Sequence, residues 1–369
     1  MSPFQEKLRN QIEVNRPKAS AMIERMVQDS QNIENIILPA QNLRLSDYNG
    51  DPVFMHFDQE FKHTEHFPTK LGTFPFHQVH HNAASQLATK LGLPSAFTRK
   101  MLFGDNWQRE EMTNMINAFL ERSENKVMVR VLNGRAKAVL SDRYKPMNNG
   151  YVFARAIQGA RSVGAELYNS YNGDLHGWME LISPEVYQVK TPRNGSISLA
   201  FGASVKSSDY GLGSLQVSGF TLQLVCLNGM TSKRTISMKH LGKRLDDNVV
   251  YQEQTVRKEL DATASIIQDN VRHLLHPDAI SKQIEQINRA SMDKLEVDQS
   301  EELLRSTPLS DEEVDFVKNI LYGDSVHYGV TGELTRFKLS QAITATHHMI
   351  QDQERNREIM EIGGAMIGI

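Results

Sequence analysis

KVMVRVLNGRAKAVL, residues 126–140, decides the reading of this chain. Two runs of alternating apolar residues flank Asn133-Gly134, and Asn-Gly is the pair that best tolerates the positive φ angles of a tight two-residue hairpin turn. The spacing predicts a β-hairpin carrying Arg130, Arg135 and Lys137. SDRYKPMNNG (141–150) follows at once and adds Arg143, Tyr144 and Lys145, two cations around an aromatic ring. Cations track a phosphate backbone and aromatic faces stack on bases. These six residues are therefore expected to meet a nucleic acid, with Tyr144 as the stacking platform.

Downstream, a helix is expected from about Tyr151 to Arg161, then strands at ELYNSY (166–171), LHGWMELIS (175–183), GSISLAFGASVK (195–206) and SLQVSGFTLQLVCLNG (214–229). The strands cluster instead of alternating with helices, which predicts an α+β fold with a central antiparallel sheet. Tyr168, Tyr171, Trp178 and Tyr210 belong to this region, where aromatics are core residues more often than platforms. From about residue 250 the period becomes helical, with long stretches at 249–276, 278–295 and 338–362 and a shorter helix at 310–321 that Ser310 caps.

Upstream, residues 1–45 read as a helix, on Ile12, Met22, Ile23, Met26 and Val27, followed by a loose connection broken at Pro39. Residues 51–81 mix aromatics and histidines in a small irregular β region. FHQVHHNAASQLATKLGLPSAFTRKML (76–102) reads as two helices joined at LGLP, either a helix-turn-helix or an ordinary helical hairpin, with Leu87, Leu91 and Phe97 inward. Another helix covers 106–122. Three regions are expected: a mixed region with the helical hairpin (1–120), a basic β-rich module (121–245) and a helical region (246–369).

Charge supports the middle boundary pair. The 369 residues carry a formal charge of −3, but residues 121–245 hold 17 Lys or Arg against 8 Asp or Glu, a local +9 that leaves −12 for the rest. A second cationic run, TSKRTISMKHLGKR (231–244), offers Lys233, Arg234, Lys239, Lys243 and Arg244. Such density favours phosphate contact without base readout.

Several chemistries find no signature. The sequence has no GxxxxGK[ST] loop, no GxGxxG between a strand and a helix, and no GxSxG elbow. Neither an enzyme nor a cofactor is expected. His63, His66, His77, His80 and His81 raise the question of a metal, since His77 and His81 are four apart on an anticipated helix, but the HExxH carboxylate is missing and packed structure is the plainer reading. One cysteine, Cys226, allows no internal disulfide, and no apolar stretch approaches a membrane span. A cytoplasmic protein is expected.

RVLNGRAKAVLSDRYKPMNN (130–149) resembles the RxLNGxxRAxLSDRYRxxDN signature of a phage/plasmid-like protein family of unknown function. QLATKLGLPSAF, VSGFTLQLVCLNGM, AITATHHMI and ERNREIMEIGG are similar to that family too, so the resemblance spans roughly residues 75–365. The chain departs from it at Asn148, where the family has Asp. The resemblance implies a mobile-element origin in a bacterial host and no established activity. In outline the chain is also similar to the ring-forming single-strand annealing proteins of phages. The expected function is sequence-independent binding or annealing of single-stranded DNA in recombination or replication, with homo-oligomers extending the groove. The alternative is an anti-defence protein that docks on a host nucleic-acid enzyme through its acidic remainder and apolar tail, GGAMIGI (363–369).

Overall fold

The structure, a computed structural model, describes residues 2–56, 76–225, 227–231, 236–238, 253–323 and 326–368. The turn that anchors the sequence reading has φ of 51° at Asn133 and 76° at Gly134, the two left-handed conformations of a type I′ hairpin. The chain opens with α1 (Pro3–Asn32), β1 (Ile33–Pro39), β2 (Leu43–Tyr48), β3 (Asp51–His56) and β4 (Phe76–Val79). Then come α2 (His81–Lys90), α3 (Ser95–Leu102), α4 (Asn106–Glu121) and the hairpin strands β5 (Lys126–Leu132) and β6 (Arg135–Ser141). These strands form one sheet in the order β1-β5-β6-β4-β3-β2.

That order corrects two expectations. Residues 33–39 are not a loose connection: Ile33 to Pro39 pair in register with Leu132 to Lys126. Pro39 closes the strand, a position where its missing N–H costs little. The boundary at 120/121 cuts through the sheet, since β5 hydrogen-bonds to β1 from the far side of it. The sheet is antiparallel except where β4 runs parallel to β6.

One face packs on α2, α3 and α4, with Val127, Val129 and Val131 against Leu87, Leu102, Met112, Ile116 and Leu120. The two helices joined at LGLP form as predicted, but Phe97 is 53% exposed; Thr98 and Leu102 are what α3 buries. At the outer edge of the sheet, Asn117 of α4 accepts the Leu45 N–H through Oδ1 and donates Nδ2 to the Leu45 carbonyl, both at 2.9 Å. It satisfies there the backbone groups that another strand would otherwise pair.

A second sheet follows α5 (Asn149–Arg161). Its strands are β7 (Glu166–Asn172), β8 (Gly177–Ile182), β9 (Tyr187–Thr191), β10 (Gly195–Ser207), β11 (Leu215–Gln223), β12 (Asn228–Thr231) and β13 (Ile236–Met238). They lie in the order β12-β11-β10-β8-β7, with β9 paired to β10 and β13 to β11. The expected basic module is thus divided between two sheets.

Then come α6 (Glu253–Leu274), α7 (Pro277–Met292), α8 (Val297–Arg305), α9 (Asp311–Tyr322), α10 (Arg336–Ala345) and α11 (Gln353–Met366). On one face of the second sheet, Met179, Leu181, Ala203 and Val205 meet Val152, Phe153 and Ala156 of α5 and Ile267 and Val271 of α6. The architecture is α+β.

Ser310 caps α9 as predicted, in a reciprocal capping box with Glu313. The single terminal helix expected at 338–362 is interrupted instead. Thr346–Met349 is a 3-10 turn, and Asp352 caps α11 afresh through the Arg355 N–H. The tail is not a free segment, since Gly363, Gly364 and Ile367 are buried within the chain. A Cβ on Gly364 would lie 2.0 Å from the Thr231 carbonyl oxygen, so only glycine lets α11 approach β12 this closely.

α1 joins the two sheets. Ser2 caps it in a capping box with Gln5, and Pro3 occupies its first turn. Leu8 and Ile12 pack with Tyr168, Ile182 and Phe220, while Ile23 and Met26 join the cluster under α5. The Ser170 hydroxyl of β7 donates to the Ala19 carbonyl at 2.9 Å. The same chain then leaves the helix as β1 of the first sheet.

Candidate functional site

The hairpin turn borders a cleft of about 440 Å3 between the two sheets, lined by α1, β6, the start of α5, the β7–β8 turn and residues 209–210. The ladder is irregular here: Val131 faces Ala136 and Arg130 faces Ala138, so Lys137 is the extra residue of a β-bulge, and both Arg135 and Lys137 line the cleft. Bulges re-aim side chains. Lys137 is thereby buried and ion-paired to Asp174 Oδ1, not spread along a surface.

Asp174 sits in the turn between β7 and β8, and its other oxygen, Oδ2, lies 2.6 Å from His80 Nε2. His80 caps α2: its Nδ1 accepts the Asn82 N–H at 3.0 Å. That nitrogen holds a lone pair, so the neutral ring carries its proton on Nε2 and donates it to Asp174. Burial holds the imidazole below its ordinary value, against the raising effect of Asp174. Burial alone would raise the Asp174 carboxyl, but the hydrogen bond and charge of Lys137, with His80, outweigh it and hold it below the usual range.

Arg130 is 0% exposed. Its Nη1 donates to the Asp209 carbonyl at 2.6 Å and its Nη2 to Asn148 Oδ1 at 2.7 Å, with the guanidinium 5.9 Å from the Tyr144 ring centroid. Asn148 in turn donates Nδ2 to the Ser30 carbonyl at 3.0 Å. A carboxylate at 148 would accept from Arg130 but has nothing to donate to Ser30. Tyr144 is buried as well, its hydroxyl 3.3 Å from the Ser208 carbonyl, and burial pushes its phenol up to about 12. Neither Arg130 nor Tyr144 reaches a surface strand. Both brace the hairpin against residues 208–209, and their expected roles as phosphate contact and stacking platform are corrected.

Of the remaining predicted residues, Arg143 is exposed and Lys145 pairs with Glu259 of α6 at 2.6 Å. Lys233, Arg234, Lys239, Lys243 and Arg244 lie outside the described residues, as do His63, His66 and Cys226. His77 is in β4 and His81 begins α2, so the two do not share a helix face. Among the described residues no group of three or more His, Cys, Asp or Glu is arranged to hold a metal, and no helix is long and apolar enough to cross a membrane.

What the cleft retains is Arg135, half-buried, and Arg25 of α1, exposed; neither has an ion-pair partner among the described residues. Arg135 Nε is buried without a hydrogen-bond partner among the described residues. Its charge extends past the cleft: burial, then Arg99 and Arg135, hold the His81 imidazole below its ordinary value. At the floor, Asp209 Oδ1 accepts the Asn149 N–H at 2.8 Å. Burial pushes this carboxyl up to about 6, against Arg130 and the Asn149 amide, with Asp29 adding to the rise.

Arg25, Asn149, Asp174 and Asp209 were missed in the sequence. Asn149 lay within the quoted motif, whereas the others come from segments with no motif of their own. No family model matches the chain, and no curated protein or solved structure matches it either.

Proposed function

We propose that this protein binds single-stranded nucleic acid, of the phage or plasmid kind, through the cleft beside the β5–β6 turn. The observation that carries the reading is Arg135: a guanidinium without an ion-pair partner among the described residues, its Nε unsatisfied, at a cleft that also holds the exposed Arg25. An unpaired half-buried cation is costly unless an anion completes it. A phosphodiester supplies that anion, and Asn133 lines the cleft beside it.

The test is fluorescence anisotropy of a labelled single-stranded oligonucleotide titrated with the full chain across a range of salt. Binding should weaken with salt, each phosphate contact adding about 0.7 to the log–log slope. The Arg25→Gln, Arg135→Gln double variant should lose most of the affinity and lower the slope by one to two contacts. Absence of binding by the folded wild type at low salt would sink the reading.

A further inference from the structure

We infer that the cleft seats one unstacked nucleotide of a bound strand, its phosphate at the Arg25–Arg135 rim and the amino edge of its base against Asn149 and Asp209 at the floor. The inference rests on the nucleic-acid reading above and adds what the cleft selects. Its volume, about 440 Å3, is within the range of roughly 300–1,000 Å3 typical of small-ligand sites. A strand can send a base into such a space; a duplex cannot enter it.

The polarity is graded from mouth to floor. Arg25 is exposed and Arg135 half-buried, whereas Asn149 and Asp209 are 5% and 4% exposed. Asn149 Oδ1 is buried with no hydrogen-bond partner among the described residues. Among the described residues the Asp209 carboxylate accepts one hydrogen bond, from the Asn149 N–H to Oδ1. Above pH 6 the floor therefore offers acceptors and needs donors.

An exocyclic amino group has two N–H donors and fits that demand, as on adenine, cytosine and guanine. Thymine and uracil present carbonyls on either side of a single N–H and leave the acceptors poorly paired. A buried acceptor left unpaired penalises the wrong ligand more than a good hydrogen bond favours the right one. The strand path as a whole needs no sequence preference; one position has it.

The experiment uses wild-type protein and labelled 15-mers of thymidine that differ only at the centre: all thymidine, one central cytidine, or one central abasic site. One cytidine should tighten binding about tenfold, as expected for one well-matched pair of hydrogen bonds, and further cytidines should add little. Asn149→Leu, if folded by circular dichroism, should abolish the tenfold preference for the cytidine oligomer over the thymidine oligomer. Equal affinity of wild type for the thymidine and single-cytidine oligomers would overturn the inference while leaving the nucleic-acid reading intact. No binding of any oligomer at low salt would overturn both. Displacement of the labelled strand by an equimolar amount of free cytidine monophosphate would identify a mononucleotide site and overturn the assignment to a strand.

Discussion

Replacing Arg130 by Met keeps an unbranched stem of similar reach and removes only the guanidinium. Two buried acceptors then lose their donor, the Asp209 carbonyl and Asn148 Oδ1, now bonded at 2.6 and 2.7 Å. Hydrogen bonds from a charged donor contribute roughly 1.5–3 kcal/mol each, so the two together contribute about 3–6 kcal/mol. The lower end of their sum applies, because Asp209 is already pushed up to about 6 and takes a proton more readily once Arg130 is gone. Arg130→Met should therefore destabilise by about 3–5 kcal/mol. That is a large share of the roughly 5–15 kcal/mol that holds a typical fold together. Urea denaturation reports it well, because Trp178 is 4% exposed while Trp107 is 61% exposed; the fluorescence change on unfolding comes chiefly from the core. Arg143→Met, on the exposed side of the same motif, should stay within about 0.5 kcal/mol of wild type. An Arg130→Met protein as stable as that control would refute the bracing role and return Arg130 to the surface.

The Asp209 carboxyl, raised from 3.8 to about 6, contributes stability that is fully present below 3.8 and lost as pH rises through 6. Asp209→Asn keeps an acceptor for the Asn149 N–H and has no proton to lose. Wild type should thus lose roughly 3 kcal/mol relative to the variant between about pH 3 and 7.5, read from paired denaturation curves; parallel pH profiles would contradict the burial argument. Gly364→Ala would gain about 1 kcal/mol of helix propensity in an open helix. Here its methyl meets the Thr231 carbonyl oxygen at 2.0 Å, and the net result should be a lower melting temperature. An unchanged or raised Tm would mean that α11 does not seat on β12 as described.

The elements that local chemistry dictates were legible in the sequence. Asn133-Gly134 specified its turn, Ser310 with Glu313 specified a helix start, and the apolar runs of β8, β10 and β11 specified strands. The site was legible only in part, because its geometry comes from pairing across long distances. Nothing local to residues 135–138 reveals that Lys137 is the bulged residue; that depends on how β5 and β6 register. Nor does RVLNGR show that its first arginine points into the structure, since burial of Arg130 depends on a carbonyl at residue 209. β1 was lost because Pro39 reads as a breaker, although at a strand end its ring does no harm.

The way α1 continues into β1 also constrains how the chain is made. Leu8 and Ile12 rest against Phe220, Leu222 and Leu224, about 210 residues further along. At roughly 5–20 residues per second of synthesis, the helix waits about 10–40 s on the ribosome before its apolar stripe is covered. During that time β1 can pair with β5, but β11, which carries Phe220 and Leu222, has not yet emerged. The first sheet is thus able to assemble during translation while its own leading helix still lacks a partner. That interval is when a chaperone would hold the nascent chain.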